Sequence, residues 1–376
     1  MFLMGKRNLG IDLLKLLSMY MVVILHILSY SGLLEQPLPR GDALWLLEMA
    51  AYSAVNLFAM TTGFLMADRP FRYRKFLVLW VQVLFWSVLG TVVLSLIFPS
   101  AFGIRVAITT LFPVTFLNYW YFTAYAGMFF FIPFFNRLIE SLSRRNHFRL
   151  ILTCLLVFSV LPTVRCDDIF FTKFGYSALW LSVMYLIGAY IRKYPVAEKI
   201  RKRTSVLVYL GSVLVSWGFK IVVEFAMGKL GIHTEVEYAK ALFQYTSPTV
   251  VLAAVALFVL FLRLPIPEKS VWAKIARLSP YAFGVYLIHM HPLFKQNVLP
   301  HYAGLLASVP GWAAVPTALL LSLVLFSVCL LLDAGRSFLF ARLRIPEMLN
   351  ALADCTVKRV SGWKWYRKLT EHLTKE

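Results

Sequence analysis

The stretch LGIDLLKLLSMYMVVILHILSY, residues 9–30, decides the fold class of this chain. Apart from Asp12, Lys15 and His26, it is predominantly apolar. A helix needs roughly 20 such residues to cross the hydrocarbon core of a bilayer, so the stretch predicts a transmembrane helix. Nine further apolar stretches follow and predict an all-α bundle of about ten transmembrane helices. The ten predicted spans are 9–30, 43–66, 76–98, 116–138, 149–164, 176–191, 204–225, 246–263, 281–298 and 312–334.

Two segments depart from this regular pattern. Pro292 lies inside the ninth predicted span, where a proline breaks or kinks a helix. Segment 99–115 carries Pro99 and Pro113 near its ends and predicts a re-entrant piece rather than a full span.

The composition excludes an ordinary soluble domain. Of 376 residues, 60% are hydrophobic and only 15% are charged, whereas soluble domains carry about a quarter charged residues. The net charge of +20 could suggest a nucleic-acid partner. Because the basic residues lie between apolar stretches, membrane topology explains them better, and we predict a lipid bilayer and no nucleic acid as partner.

The distribution of lysine and arginine orients the predicted bundle. With the N-terminus inside, 29 of the 38 basic residues fall in inner loops and the tail, and every inner loop is richer in them than every outer loop. This asymmetry predicts ten spans, both termini in the cytoplasm and a location in the cell membrane. We predict a membrane domain at 1–334 and a basic cytoplasmic tail at 335–376. Trp363, Trp365 and Tyr366 make the tail a candidate interfacial helix, with a solvated tail as the alternative.

The first span carries three ionisable groups that are costly in a membrane. Lys15 and His26 are eleven residues apart, almost three helical turns, so both point the same way. Asp12 lies three residues before Lys15 and can pair with it. The three residues together favour a polar conduit along one face of the helix. The alternatives are an Asp12–Lys15 ion pair at the interface and a satisfied core histidine.

Basic and polar residues elsewhere add candidate sites. The loop after the second span holds Arg69, Arg72, Arg74 and Lys75, more cations than orientation requires, and arginine is well suited to phosphate. Asn56 in the second span is typical of a residue that hydrogen-bonds neighbouring helices.

Aromatic and histidine residues mark the fourth and ninth spans. Trp120 and Tyr121 open the fourth span, where an aromatic belt alone would explain them. His289 and His291 follow Tyr286 in the ninth span. Two residues apart on a helix, their rings diverge by about 200°, so we expect no metal site there.

These motifs, in this order, resemble the integral-membrane acyltransferase 3 family, whose members O-acylate cell-surface sugars. That family shows an Asp, an Arg three residues later and a His eleven residues after the Arg. In this chain Lys15 stands in place of the Arg, and Thr62 in place of a Ser before Gly63. The matched motifs run from Asn8 to His26, from Val55 to Leu65, through Arg69 and Arg72 (with Arg72 and Lys75 as an equally spaced alternative), through Trp120 and Tyr121, and from Tyr286 to His289.

The resemblance implies a function and roles for these residues. An acyl-CoA donor, with acetyl-CoA as the family default, would supply an acyl group from the cytoplasm to a hydroxyl of a surface glycan or lipid-linked sugar. His26 would act as general base or carry the acyl group, with Asp12 and Lys15 shaping its surroundings. The basic loop would hold the CoA phosphates. Asn56, Trp120, Tyr121, Tyr286 and His289 would support the site.

Two other classes of function remain open at this stage. Intramembrane Asp, Lys and His side chains also serve proton relays, so a proton-coupled transporter or a flippase of a sugar-lipid is one alternative. A membrane sensory or assembly protein without turnover is the other, and it would not require His26.

Overall fold

The computed structural model describes residues 7–35, 40–230 and 238–361. These residues form helices and contain no strand. A π-helical stretch, Leu156–Val160, joins the helix Arg144–Leu155 to the helix Leu161–Arg165. The helices are α1 (Leu9–Tyr30), α2 (Arg40–Ala51), α3 (Ala54–Met66), α4 (Tyr73–Ile97), α5 (Ile104–Leu111), α6 (Trp120–Ser141), α7 (Arg144–Leu155), α8 (Leu161–Arg165), α9 (Ala178–Lys193), α10 (Lys202–Lys229), α11 (Pro248–Leu262), α12 (Val271–Ala276), α13 (Ala282–His289), α14 (Pro292–Asn297), α15 (Tyr302–Ala307), α16 (Ala314–Arg342) and α17 (Ile345–Ser361).

Each predicted span coincides with helical structure. Seven helical segments of the described chain are long and apolar enough to cross a bilayer. The sixth and eighth predicted spans form α9 and α11, of 16 and 15 residues, which are shorter than that length. The ninth is split into α13 and α14. The all-helical membrane fold is therefore confirmed, and the number of ten spans stays a prediction.

The ends of two predicted elements differ in detail. α16 continues to Arg342, so its last turns fall within the predicted tail, and α17 follows directly. Trp363, Trp365 and Tyr366 of the predicted interfacial tail lie outside the described residues. Segment 99–115 contains α5, which packs against α4.

α1 is the central helix of the bundle. In its most apolar stretch of 18 residues, 72% of the residues are buried, against 22% in the corresponding stretch of α10. It packs against α2, α3, α11, α13 and α16. Asn8 begins this helix, because its side-chain oxygen accepts a hydrogen bond of 3.0 Å from the backbone N–H of Ile11. The Asn8 amide also donates to the carbonyl of Leu262 at the end of α11. The side chain of Asn8 thus joins two helix ends.

α3 and α9 approach each other through two glycines. A Cβ on Gly63 would lie 2.1 Å from the carbonyl oxygen of Tyr185, and one on Gly188 would lie 2.0 Å from that of Met60. Both obstacles are backbone atoms, so a side-chain rotation cannot relieve them. Small residues that allow backbones to meet are typical of helix pairs in membranes, where no hydrophobic effect drives helices together.

A buried charge cluster fixes α13 against α4 and α16. Asp333 is fully buried and accepts two hydrogen bonds of 2.8 Å from Arg336. The Trp86 indole and the Gln82 amide of α4 donate to the same carboxylate. A Cβ on Gly284 of α13 would lie 2.0 Å from this carboxyl group, so only glycine allows this contact. The cluster thereby sets the position of α13.

Pro292 divides the ninth predicted span. His291 before it is non-helical, with ψ of 133°, because the proline ring disfavours helical geometry in the preceding residue. Nε2 of His291 lies 3.0 Å from the carbonyl oxygen of Ser87, and 3.1 Å from the hydroxyl of Thr91, both in α4. The break therefore turns His291 toward α4.

The close contact of α3 and α9 yields a test of the fold. Gly188→Ala should lower the melting temperature in detergent, because overpacking costs about 1–3 kcal/mol and the obstacle is backbone. The matched control is Gly211→Ala in α10, where an added Cβ meets nothing within 4 Å. That control should leave stability equal or raise it, since alanine is the better helix former. Equal melting temperatures for both variants would contradict the packing described here.

Candidate functional site

A cavity of about 190 Å³ lies beside α1. α1 contributes Met19, Val22, Leu25 and His26 to its wall, and residues spaced by three or four share one face of a helix. Apart from His26 and a few hydroxyl groups, the wall is apolar and aromatic. The other lining residues are Val55, Phe58, Thr62, Leu79, Trp120, Tyr121, Phe122, Tyr125, Tyr245, Phe283 and Tyr286.

His26 is hydrogen-bonded to a second histidine behind it. Nδ1 of His26 lies 2.9 Å from Nε2 of His289, which is fully buried. Nδ1 of His289 lies 2.5 Å from the carbonyl oxygen of Val285, one turn earlier in α13. The sequence places these histidines 263 residues apart, and the packing of α1 against α13 brings them together.

These contacts determine where the protons of the neutral pair reside. A carbonyl oxygen only accepts, so Nδ1 of His289 donates to Val285 and Nε2 of His289 is unprotonated. His26 then donates from Nδ1 to that nitrogen. Nε2 of His26 is left unprotonated, and it is the nitrogen available to the cavity. The arrangement presents a neutral imidazole that can accept a proton from a bound hydroxyl.

The predicted support residues Trp120, Tyr121 and Tyr286 line the same cavity as His26. The hydroxyl of Tyr286 accepts a hydrogen bond of 3.2 Å from the backbone N–H of Tyr121. Because Tyr286 and His289 share α13, this bond ties the helix that carries His289 to the start of α6.

Asn56 lies behind the cavity wall and is fully buried. Its amide nitrogen donates to the carbonyl oxygen of Tyr245, and its amide oxygen accepts from the indole N–H of Trp180, both at 2.9 Å. It therefore joins α3, α9 and the segment before α11. Since Tyr245 lines the cavity, Asn56 supports the wall without touching the space inside.

Asp12 and Lys15 form a separate cluster at the start of α1. The Asp12 carboxylate accepts from Lys15 Nζ at 3.1 Å, from Ser279 Oγ at 2.9 Å and from the Arg7 guanidinium. Neither Asp12 nor Lys15 lines the cavity.

Eleven residues separate Lys15 from His26, about 16 Å along the helix. Met19 and Val22, on the same face between them, are apolar, so the structure does not join the three predicted catalytic residues by a continuous polar path. Their catalytic roles stay predictions.

Three of the four predicted phosphate-binding cations line a second, larger space. A groove of about 1200 Å³ lies between the start of α4 and α17, and Arg72, Arg74 and Lys75 line it. Arg74 forms an ion pair with Asp354 of α17. Arg69 is exposed on the preceding turn and is not part of the groove wall. We call this space the basic groove.

An aromatic wall separates the basic groove from the cavity. Phe76 lines the groove and Phe122 lines the cavity. Their rings stack with centroids 5.7 Å apart, and Phe129 packs 5.1 Å from Phe76. Passage between the two spaces requires these rings to move.

Two residues beside the predicted site residues were not predicted from the sequence. Arg7, counted there only as a topology signal, binds Asp12. Glu48 is a buried carboxylate next to Ser29, one turn beyond His26 in α1. An acidic residue inside the predicted span 43–66 was the signal that could have identified it.

No described group of three or more His, Cys, Asp or Glu residues could hold a metal ion. His291 bonds to α4, whereas His289 bonds to His26. The two rings therefore face different helices.

The fold and the cavity define an all-helical, multi-pass membrane protein with a histidine in an internal apolar site. The chain matches the family model described as an acyltransferase domain over residues 8–333, nearly its whole length. It belongs to this family of acyltransferases, acyltransferase 3, as its sequence motifs predict. No curated protein and no solved structure matches the chain.

The two hydrogen bonds of Asn56 generate a prediction. Asn56→Ala should leave the Trp180 N–H and the Tyr245 carbonyl unsatisfied, at a cost of about 1–3 kcal/mol for each buried group. The melting temperature should fall by several degrees. The control, Asn297→Ala, removes only a local bond to Leu293 in α14. A smaller loss of stability in Asn56→Ala than in Asn297→Ala would contradict the joining role.

Proposed function

We propose that this protein transfers an acyl group from acyl-CoA to a hydroxyl of a carbohydrate on the far side of the membrane. The observation that carries the proposal is the contact between His26 and His289 at the wall of an apolar cavity that lies next to a basic groove. Family membership supports acyl transfer, and the donor and acceptor are our inference.

The sizes of the two spaces support a donor site in which the thioester and the nucleotide of acyl-CoA bind in different spaces. At about 190 Å³, the cavity is much smaller than the basic groove. That space suits a thioester and an attacking hydroxyl, not the nucleotide of CoA. The basic groove of about 1200 Å³ has the volume and the cations for the nucleotide. The pantetheine arm would reach the cavity past Phe76 and Phe122.

The chemical step uses His26 as general base. Nε2 of His26 takes the proton of the acceptor hydroxyl while the oxygen attacks the thioester carbon. The carbon–sulfur bond then breaks, and the departing thiolate takes the proton back from Nε2. During the reaction the positive charge on His26 is stabilised by the unprotonated Nε2 of His289. The products are the ester and free CoA, and no proton is gained or lost overall.

The proposed topology adds three spans to the seven long helical segments. α9 has 16 residues, about 24 Å at 1.5 Å per residue, and it lies largely buried among other helices. With α11 and the broken pair α13–α14, it would complete ten spans. The basic groove would then face the cytoplasm of a cell membrane, where acyl-CoA is available, and both termini would lie there. We take acetyl as the acyl group by family analogy.

His26→Ala should retain acetyl-CoA binding and lose turnover by about 100- to 10,000-fold, the usual contribution of a general base. His289→Ala should lower turnover as well, because His26 loses the acceptor for its Nδ1 proton. The assay is release of free CoA, with octyl glycosides as acceptors, by purified protein in nanodiscs. His147→Ala, a buried histidine bonded to Leu186 away from the cavity, is the matched control. Full activity in correctly inserted His26→Ala would refute this mechanism.

The basic groove predicts which cations hold the donor. Arg72→Ala and Lys75→Ala should each weaken acetyl-CoA binding by about tenfold or more, since a hydrogen bond to a charged group contributes about 1.5–3 kcal/mol. Arg69→Ala should have a smaller effect, because Arg69 does not line the groove. Equilibrium binding of acetyl-CoA at two salt concentrations is the measurement. Arg145→Ala in α7 controls for loss of a surface cation.

A chain that binds acetyl-CoA equally in all these variants would contradict the proposed groove. Equal weakening by Arg69→Ala and Arg72→Ala, with Lys75→Ala unaffected, would instead assign the two arginines of the first motif spacing to the donor.

A further inference from the structure

Glu48 is a buried carboxylate for which the proposed reaction has no role. It lies in α2 and is 3% exposed. One carboxylate oxygen accepts a hydrogen bond of 3.2 Å from the hydroxyl of Ser29. The other oxygen is buried and has no hydrogen-bond partner among the described residues. An intramembrane carboxylate with an open acceptor position is a candidate ligand-binding group.

Three tyrosine side chains pack together beside Glu48. The ring of Tyr245 lies 4.8 Å from the ring of Tyr52 and 4.8 Å from that of Tyr176. Tyr52 lies four residues after Glu48, directly beyond the end of α2.

This tyrosine cluster connects the His26 cavity with the protein surface. Tyr245 and Trp120 line the cavity, and the Trp120 ring lies 4.4 Å from that of Tyr176. Tyr176 is 39% exposed. A molecule bound beside Tyr176 would therefore lie next to rings that reach the wall of the His26 cavity.

The tyrosine cluster lies on the opposite side of His26 from the basic groove. α1 begins at the Asp12 cluster and runs toward His26, and Ser29, the partner of Glu48, lies three residues further along, about one turn. The basic groove adjoins the start of α4, directly after α3 has returned from this side. Donor and acceptor can therefore approach His26 from opposite ends.

We infer that Glu48, Tyr52, Tyr176 and Tyr245 form the binding subsite for the sugar ring of the acceptor, with the open oxygen of Glu48 accepting a hydrogen bond from a ring hydroxyl. Aromatic rings offer flat apolar faces, while the carboxylate and phenol groups offer acceptors and donors. An uncharged sugar, which has apolar faces and many hydroxyls, satisfies both. This inference rests on the proposed function, because it names the groups that hold the acceptor of that reaction.

Glu48→Gln tests the role of the open oxygen with little change of shape. If the glutamine oxygen keeps the bond to Ser29, its NH₂ group takes the place of the open oxygen, so the group that faces the sugar can donate a hydrogen bond but can no longer accept one. We expect the KM for the acceptor to rise at least tenfold. The affinity for acetyl-CoA should stay unchanged, because the donor contacts other residues.

The measurement uses full-length protein in nanodiscs, acetyl-CoA, and octyl glycosides of glucose, galactose, mannose and N-acetylglucosamine with their monodeoxy analogues. Wild type should discriminate against one deoxy analogue, and Glu48→Gln should lose that discrimination, as expected when a hydrogen bond between protein and substrate is already missing. Tyr176→Phe, at a partly exposed position, should raise the KM for the acceptor severalfold. Glu224→Gln, a surface carboxylate of α10 paired with Lys220, is the control.

The outcomes separate the two proposals. If wild type releases no CoA and acylates no glycoside, the proposed function fails, and the subsite with it. If wild type is active but neither Glu48→Gln nor Tyr176→Phe changes the acceptor KM or the deoxy discrimination, the subsite alone is refuted. Should Glu48→Gln fail to fold, as judged by size-exclusion chromatography, the effect of Tyr176→Phe decides the question.

Discussion

The site depends on one chain of hydrogen bonds, from Nδ1 of His26 to Nε2 of His289 and from Nδ1 of His289 to the Val285 carbonyl. In an environment with little water, neither ring can find a substitute partner, so the geometry of α13 determines which nitrogen of His26 is free. The position of α13 is set in turn by other contacts: Gly284 lies directly against the Asp333 carboxylate, and the Tyr286 hydroxyl binds the start of α6. This short helix is thus held by contacts with α16 and α6.

The remaining polar residues divide the molecule into two ends with different chemistry. At one end the Asp12 carboxylate is shared among three donors, and the exposed cations of the basic groove face solvent. Beyond His26, uncharged tyrosines and Glu48 prevail. The stacked rings of Phe76 and Phe122 lie between the groove and the cavity. An apolar cavity that excludes water would also protect a thioester from hydrolysis, because water is the competing acceptor for the acyl group.

The sequence could predict those features that repeat along the chain and those that lie within one helix. Each apolar stretch coincides with helical structure, and Pro292 marked the break after α13. The spacing of Asp12 and Lys15 predicted their ion pair. The sequence could not predict contacts between distant segments. The His26–His289 bond joins histidines that are 263 residues apart in the chain, and Asn56 binds a carbonyl 189 residues away. Periodicity also placed Lys15 and His26 on one face, but it could not show that Met19 and Val22 interrupt the polar path.

A pair of neutral imidazoles can act as a base in a region of low dielectric constant without bringing a charge there before the reaction. A carboxylate behind His26 would bring a full charge into a region of low dielectric constant, where it needs a compensating cation, as Asp333 needs Arg336. His289 orients His26 without any charge before the reaction begins, and positive charge arises only while the proton is on His26. Glu48 is the exception among the buried acidic side chains of the described chain, because one of its oxygens is unsatisfied and it forms no ion pair there, whereas Asp12 and Asp333 are both paired with cations. A site that will receive hydroxyl donors from a substrate is where such an exception is expected.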